Sequence, residues 1–371
     1  MIDSGGELIG RIYEAAAIAD QWDLVLGELC ARAGADAASL LAFDELGGLR
    51  YRNTPAYTTP LADYMRTGLH LENVRPQRYL ERGLRGFATD LEVCSEAELE
   101  ADPIYERYLR RYGFGWTAGT VIPYPTSDMI VFDLARSTES GPFERASMER
   151  LDPFRPHLAR AALVAHELGL ATARNQAAAL QAIGLPCAVI GTGLRVIASN
   201  PLFEALEPQI GSRAGDRLAL PSRQSTQLFE GALAAIPMPE APTPFSIPIS
   251  ANEDTGPMVL HVVPTYRQAR DIFSGAVALV IVTPVAMPQA PSYGVLSGLF
   301  DLTPAEARLA AALAQGHSLD QISRRTGLSK DTLRNQLKAV MAKTGTSRQA
   351  ELALLLSGTQ FPAGRPIAPK R

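Results

Sequence analysis

The feature that most constrains this chain is the helix punctuation between residues 301 and 356. Thr303 followed by Pro304, with Glu306 three residues after the Thr, is a side-chain cap, a first-turn proline and a capping box in register. The helix that they open runs to about Gln315 and stops at Gly316. Ser318 caps a second helix through Ile322 to Arg325, and Gly327 suits the left-handed residue that ends it. Ser329 caps a third helix to about Lys343 with Gly345 as its stop, and Ser347 caps a fourth through Leu356. Two short helices joined by a glycine-containing turn form the helix-turn-helix pattern.

On the third helix, Leu333, Leu337, Val340 and Met341 fall on one stripe at 100° per residue and must pack on the preceding helices. The other face carries Thr332, Asn335, Lys338, Ala339 and Ala342, with Arg334 and Gln336 at its edges. Arg334 and Lys338 are one turn apart and project together. Arginine grips guanine through two hydrogen bonds, and Asn or Gln does so for adenine. Ser329, Lys330 and Thr332 lie at the helix N-terminus, where amides, hydroxyls and a cation suit phosphate. A solvated polar face on a packed helical unit is the alternative reading of the same spacing.

The segment resembles the C-terminal domain of LuxR-type (GerE-type) transcriptional regulators. The resemblance rests on Leu302-Thr303-Pro304, Ala314-Gln315-Gly316, Gln321-Ile322-Ser323, Gly327-Leu328-Ser329, Thr332-Leu333-Arg334 and Lys343-Thr344-Gly345 with Ser347-Arg348. It implies an all-α four-helix domain over 295–358 that binds double-stranded DNA through Ser329, Lys330, Thr332, Arg334, Asn335, Gln336, Lys338, Lys343 and Arg348. It also implies a fourth helix that helps dimerise. Ala305-Glu306-Ala307 replaces the family's usual acidic-basic-acidic triplet, and Leu333, Arg334 and Gln336 depart from its commoner third-helix residues.

Charge is distributed to match. Residues 295–358 hold eight Lys and Arg against five Asp and Glu, and the tail 359–371 adds three cations. The first 294 residues therefore carry −10 of a total of −4, an acidic body with a basic end. A reader at +3 neutralises few phosphates, so a homodimer reading two half-sites is expected. Cys30, Cys94 and Cys187 have no close spacing, which fits lone buried thiols in a reducing cytoplasm. The N-terminus carries Asp3 and Glu7 and no apolar core, so no signal peptide is expected. The longest apolar run, Ala276–Val282, is too short to span a bilayer.

Upstream, 371 residues leave room for two further units. Residues 7–32 read as one amphipathic helix. Strands at Ala38–Phe43 and Leu49–Asn53 flank a turn, helices follow near 58–68, 72–82 and 95–111, and strands at Gly115–Pro123 and Asp128–Arg136 close the unit. That order resembles a GAF or PAS sensor module over 1–142. Residues 143–183 read as helix, with a stripe of Leu158, Ala161, Ala162, Ala165, Leu168, Ala171, Ala178 and Leu180. Small residues suit close pairing, so this linker is a candidate dimer helix, or it packs on its own module. Residues 184–286 give two strands, helices and three strands, which resembles a PAS module, with Asn200 opening a helix as in that family. The expected architecture is thus two α+β PAS/GAF-like modules joined by a long helix, a short linker at 287–292, a LuxR-type DNA-binding domain and an unstructured tail at 359–371.

Catalytic signatures are missing from the sequence. Gly191-Thr192-Gly193 precedes a strand and reads as a hairpin turn, not a nucleotide loop. The five histidines have no metal-ligand spacing, and His261, in an apolar strand, reads as a structural residue and not a haem ligand. No enzyme, metal or cofactor is expected. A cavity for an unknown small effector is placed in the first module near Trp116, Tyr124 and Phe132, with Tyr51, Tyr57 and Tyr64 as further aromatic candidates. The alternative is that the upstream modules serve only as a dimerisation or docking scaffold.

Overall fold

The computed structural model describes residues 4–44, 48–123, 129–213, 216–235, 243–252, 255–265, 272–273, 275–285 and 292–357. Two five-stranded antiparallel sheets and a C-terminal helical unit account for most of them. The linker at 287–292, except Ser292, the tail at 359–371 and most of the turn at 45–48 lie outside the described residues.

The first sheet is built from β1 (Ala37–Phe43), β2 (Leu49–Asn53), β3 (Ala88–Thr89), β4 (Phe114–Pro123) and β5 (Met129–Ser137) in the order β2-β1-β5-β4-β3. Every residue of β1 is buried, because both faces of the sheet are covered. On one face lie α1 (Ser4–Ala17), α2 (Trp22–Ala33), α7 (Arg145–Leu151) and α8 (Arg155–Ala182). On the other lie α3 (Thr58–Thr67), α4 (Arg75–Glu81), α5 (Asp90–Val93) and α6 (Glu96–Ala101). The single helix expected over 7–32 is two, split by a 3-10 turn at Ala19–Gln21.

The second sheet contains β6 (Cys187–Gly191), β7 (Val196–Ser199), β10 (Phe245–Ile249), β11 (Met258–Pro264) and β12 (Ala276–Pro284), ordered β10-β11-β12-β6-β7. Between β7 and β10 come α9 (Pro201–Glu204), the small hairpin β8 (Gly211–Arg213) and β9 (Arg217–Ala219), and α10 (Arg223–Ala235). Numbered within its own sheet, each five-stranded set reads 2-1-5-4-3, so the two sheets share one topology. Burial alternates along β11, as expected of a sheet with one packed face. On its open face His261 is tied by both ring nitrogens, Nδ1 to Ser246 Oγ at 2.9 Å and Nε2 to Thr283 Oγ1 at 2.8 Å.

Helix α8 joins the two units. Buried Asn200 caps α9 by accepting from Phe203 N at 3.0 Å, and it donates to the carbonyls of Ala177 in α8 and Leu185. The expected small-residue stripe of α8 divides. Leu158, Ala161, Ala162 and Ala165 are buried within their own chain, whereas Leu168, Ala171 and Ala178 are exposed. The exposed part follows a heptad: Val164, Leu168, Ala171, Asn175, Ala178 and Ala182 all face solvent at alternating spacings of four and three.

The C-terminal unit opens with α11 (Tyr293–Phe300), followed by α12 (Pro304–Ala314), α13 (Leu319–Thr326), α14 (Lys330–Thr344) and α15 (Gln349–Ser357). Thr303 with Glu306 and Ser318 with Gln321 form complete capping boxes, and Ser329 caps α14. Gly327 ends α13 at φ 76°, a left-handed conformation that glycine adopts without a Cβ penalty. No described helix is long and apolar enough to cross a membrane.

Candidate functional site

Two places concentrate polar groups that the fold itself does not consume. The first is the outer face of α14. Leu333 and Val340 are buried, and Leu337 and Met341 pack against the same core, so the stripe read from the sequence is the inner side. Thr332, Arg334, Asn335, Lys338 and Ala342 are exposed, and Gln336 and Ala339 are half-buried beside them. Ser329 Oγ accepts from Thr332 N at 3.1 Å and lies 2.8 Å from Thr332 Oγ1, which fixes the first turn. Lys330 pairs with Asp320 at 2.7 Å and Arg334 with Asp331 at 3.1 Å. Both pairs are solvent-exposed and therefore weak.

Lys343 faces elsewhere. Its Nζ donates to Glu306 Oε2 at 2.8 Å and to the Asp301 carbonyl at 2.9 Å. That contact holds the Glu306 carboxyl below its ordinary range, helped by the Thr303 amide. Lys343 thus links the end of α14 to the start of α12. Arg348 is exposed just before α15, 4.0 Å from Glu351. Arg324 and Arg325, exposed at the end of α13, extend the cationic surface beyond the residues singled out in the sequence.

The second place is a partly open cavity under the first sheet. Its walls come from β1, β4 and β5, from α3, α4 and α5, and from Tyr57 and Tyr108. Tyr57 and Tyr64 line it. Trp116 and Phe132, placed there from the sequence, do not. Phe132 is fully buried against the helices of the opposite sheet face, and Trp116 packs against the same cluster. The correction follows from strand alternation: Ile130, Phe132 and Leu134 point one way, Val131 and Asp133 the other. Tyr124 lies outside the described residues.

Most polar groups in this cavity are engaged. Asp90 accepts from Thr117 N at 2.8 Å, from Tyr105 Oη at 2.6 Å and from Leu91 N at 2.8 Å. Arg75 donates from Nη1 to Thr117 Oγ1 at 2.8 Å and from Nε to Asn73 Oδ1 at 3.2 Å, with its guanidinium 5.4 Å from the centre of the Tyr105 ring. Asn73 in turn donates to Tyr64 Oη at 2.8 Å, and the Tyr64 ring stacks on Tyr108 at 4.8 Å. Asp133 accepts from Tyr57 Oη at 3.3 Å. Burial pushes the Asp133 carboxyl up to about 6, against the pull of Arg75. Burial disfavours the Arg75 cation, but Tyr105, Asp133 and Tyr64 together raise its pKa above the ordinary value. Sequence reading missed Arg75, Asn73 and Asp133 because residues from 41 to 133 converge here with no local motif; the lone polar side chain in the apolar strand Met129–Ala135 was the available signal.

Among the described residues no group of His, Cys, Asp or Glu is arranged to hold a metal. The three cysteines are free and buried, and burial pushes Cys30 and Cys187 up to about 12.

No protein-family model and no curated protein matches the chain. Among solved structures it is similar to the VqsR LBD domain from Pseudomonas aeruginosa, at 20% identity and a TM-score of 0.35 over 43% of this chain and 96% of that one. It is similar to SdiA from Escherichia coli at 10% identity and a TM-score of 0.31, over 91% of this chain and 90% of that one. It is also similar to the N-acylhomoserine lactone-dependent LuxR-family transcription factor CepR2 from Burkholderia cenocepacia, at 12% identity and a TM-score of 0.30 over 42% of this chain and 91% of that one.

Proposed function

We propose that this chain is a LuxR-type, sequence-specific DNA-binding regulator of transcription, acting as a cytoplasmic homodimer, with a small-molecule effector held by its first unit. The observation that carries the reading is the two-sidedness of α14. A buried apolar stripe fixes the helix on its unit, and a capped N-terminus and exposed Arg334, Asn335 and Lys338 stand on the other side. Helices α13 and α14, joined through Gly327 and Ser329, then form the helix-turn-helix, with α14 entering the major groove. Ser329, Lys330 and Thr332 meet phosphate, Arg334 and Lys338 meet base edges, Asn335 and Gln336 lie beside them, and Arg348 reaches the flanking backbone.

The two sheets fit sensor modules of GAF or PAS type by their shared strand order. A scaffold role alone leaves the charged, partly unfilled cavity under the first sheet without a use. The exposed heptad of α8 supports dimerisation, because Asn175 at a core position of such a seam favours a two-stranded parallel pairing.

The test is DNA capture. Sites bound by the wild-type chain are selected from a random duplex pool, and the enriched duplex is used in gel shifts at physiological salt. Arg334→Ala and Lys338→Ala should each lose the preference for that duplex while keeping the wild-type helical circular dichroism. Equal retention by both variants, or failure of the pool to enrich, overturns the assignment.

A further inference from the structure

The cavity under the first sheet contains two opposite charges that attract each other without forming a salt bridge. Among the described residues Arg75 makes no salt bridge to a carboxylate; its side-chain hydrogen bonds go to the neutral acceptors Thr117 and Asn73. Among the described residues Asp133 accepts one side-chain hydrogen bond, from Tyr57 Oη at 3.3 Å, and makes no ion pair with Arg75. Charges removed from water are costly unless paired, and a buried polar network is favourable only when every member is satisfied. Tyr108, also on the wall, has a buried hydroxyl with no hydrogen-bond partner among the described residues. Asn73, Thr89, Asp90, Thr117 and Thr120 also line the wall but are hydrogen-bonded within the protein, and Leu41, Leu61 and Val131 supply apolar surface. A cavity of this kind, with few convergent polar groups on an apolar lining, is built for a small molecule.

We propose that the cavity binds a small organic acid that carries an N–H donor on an apolar body, with its carboxylate on the Arg75 guanidinium and its N–H on the Asp133 carboxylate. The guanidinium fork suits a carboxylate, and Lys at that position would lose the two-point contact. Asp133, an acceptor when ionised, discriminates against acids that have no N–H to offer. The ligand completes the two half-satisfied groups at once, so either half alone binds weakly.

This rests on reading the first unit as an effector sensor, and the test separates the two. Thermal unfolding of the full chain is followed with the twenty L-amino acids, their N-acetyl derivatives and anthranilate. The controls are the matched amines lacking the acid, the matched acids lacking nitrogen, and neutral octanoyl-glycerol. At least one N–H acid should raise Tm by about 3 °C, and its amine-only and acid-only counterparts should not. The rise should vanish in Arg75→Gln and in Asp133→Asn. Arg75→Lys, which preserves the charge, should keep part of it and serves as the second variant if Arg75→Gln does not fold. Silence of every N–H acid, or an undiminished rise in Asp133→Asn, overturns the proposal. A rise with octanoyl-glycerol alone also overturns it while leaving the cavity an effector site. The gel shift of the wild-type chain reads the regulator assignment independently.

Discussion

The ring of Phe273, carried between β11 and β12 of the second sheet, lies 5.4 Å from the ring of Trp22 in the core of the first unit. Ile272 is buried in the same cluster, and His166 of α8 donates from Nδ1 to the Phe273 carbonyl at 2.9 Å. On the far edge, Thr192 Oγ1 donates to Asp44 at 2.7 Å. A short segment of one unit thus plugs the hydrophobic interior of the other. The boundary drawn between 183 and 184 separates the chain but not the core.

Removing that plug should cost stability. Phe273→Ala deletes a nearly fully buried ring from a tilted aromatic pair, a change worth about 3 kcal/mol or more. Urea unfolding read by Trp fluorescence measures it. The two units should also lose cooperativity and unfold in separable steps. A loss below about 1 kcal/mol would mean that the plug is not a true core element.

Residues at the start and on the outer face of α14 should fail differently. With α14 in the groove as proposed, Lys330→Ala removes one phosphate contact, so affinity should fall evenly across sequences and the salt slope should shrink by about one. Arg334→Ala removes a base-edge contact, at about 1–3 kcal/mol, and should relax specificity at one position of the site. Binding titrations at several salt concentrations on matched and scrambled duplexes distinguish the two patterns. Identical patterns would mean that α14 does not read bases.

Asp133 should give the first unit a pH signature. Its folded carboxyl titrates at about 6, above the roughly 3.9 of an unfolded Asp. As pH rises past about 4 the unfolded chain releases this proton first, so the contribution of Asp133 to stability declines until about pH 6 and is flat above. Asp133→Asn should therefore gain on the wild type between pH 4 and 7, by up to about 3 kcal/mol. Urea midpoints of both chains at the two pH values test the sign. A gap that narrows toward neutral pH would contradict it.

The heptad of α8 predicts its own disruption. Val164 and Leu168 are each nearly half exposed in the isolated chain, and a charge at the centre of the seam opposes pairing. Leu168→Asp should convert a dimer to a monomer in sedimentation equilibrium, with unchanged circular dichroism, and weaken DNA binding by losing one half-site. A dimer that survives the substitution places the interface elsewhere.

The parts of this fold that are legible in the sequence are those set by contacts a few residues apart. Thr303, Ser318, Ser329, Gly327 and Gly345 bracket α12, α13 and α14 to within a residue or two, because capping chemistry is local. The strands of both sheets also follow from alternation and apolar runs, apart from β3, which is two residues long and carries no period. What sequence could not display is where distant faces meet. Arg75 and Asp133 are 58 positions apart yet face one cavity, and Trp116 and Phe132 look like pocket residues until the pleat assigns them to the opposite side. Lys343 reads as one more cation on a basic helix. Its partner Glu306 is 37 residues earlier, and only the folded unit brings them together.

That last contact ties the joint ahead of α12 to the end of α14. Lys343 bonds both Glu306 and the carbonyl of Asp301, the left-handed residue on which α11 gives way to α12. Replacing Lys343 would therefore untie the α11–α12 joint from the end of α14.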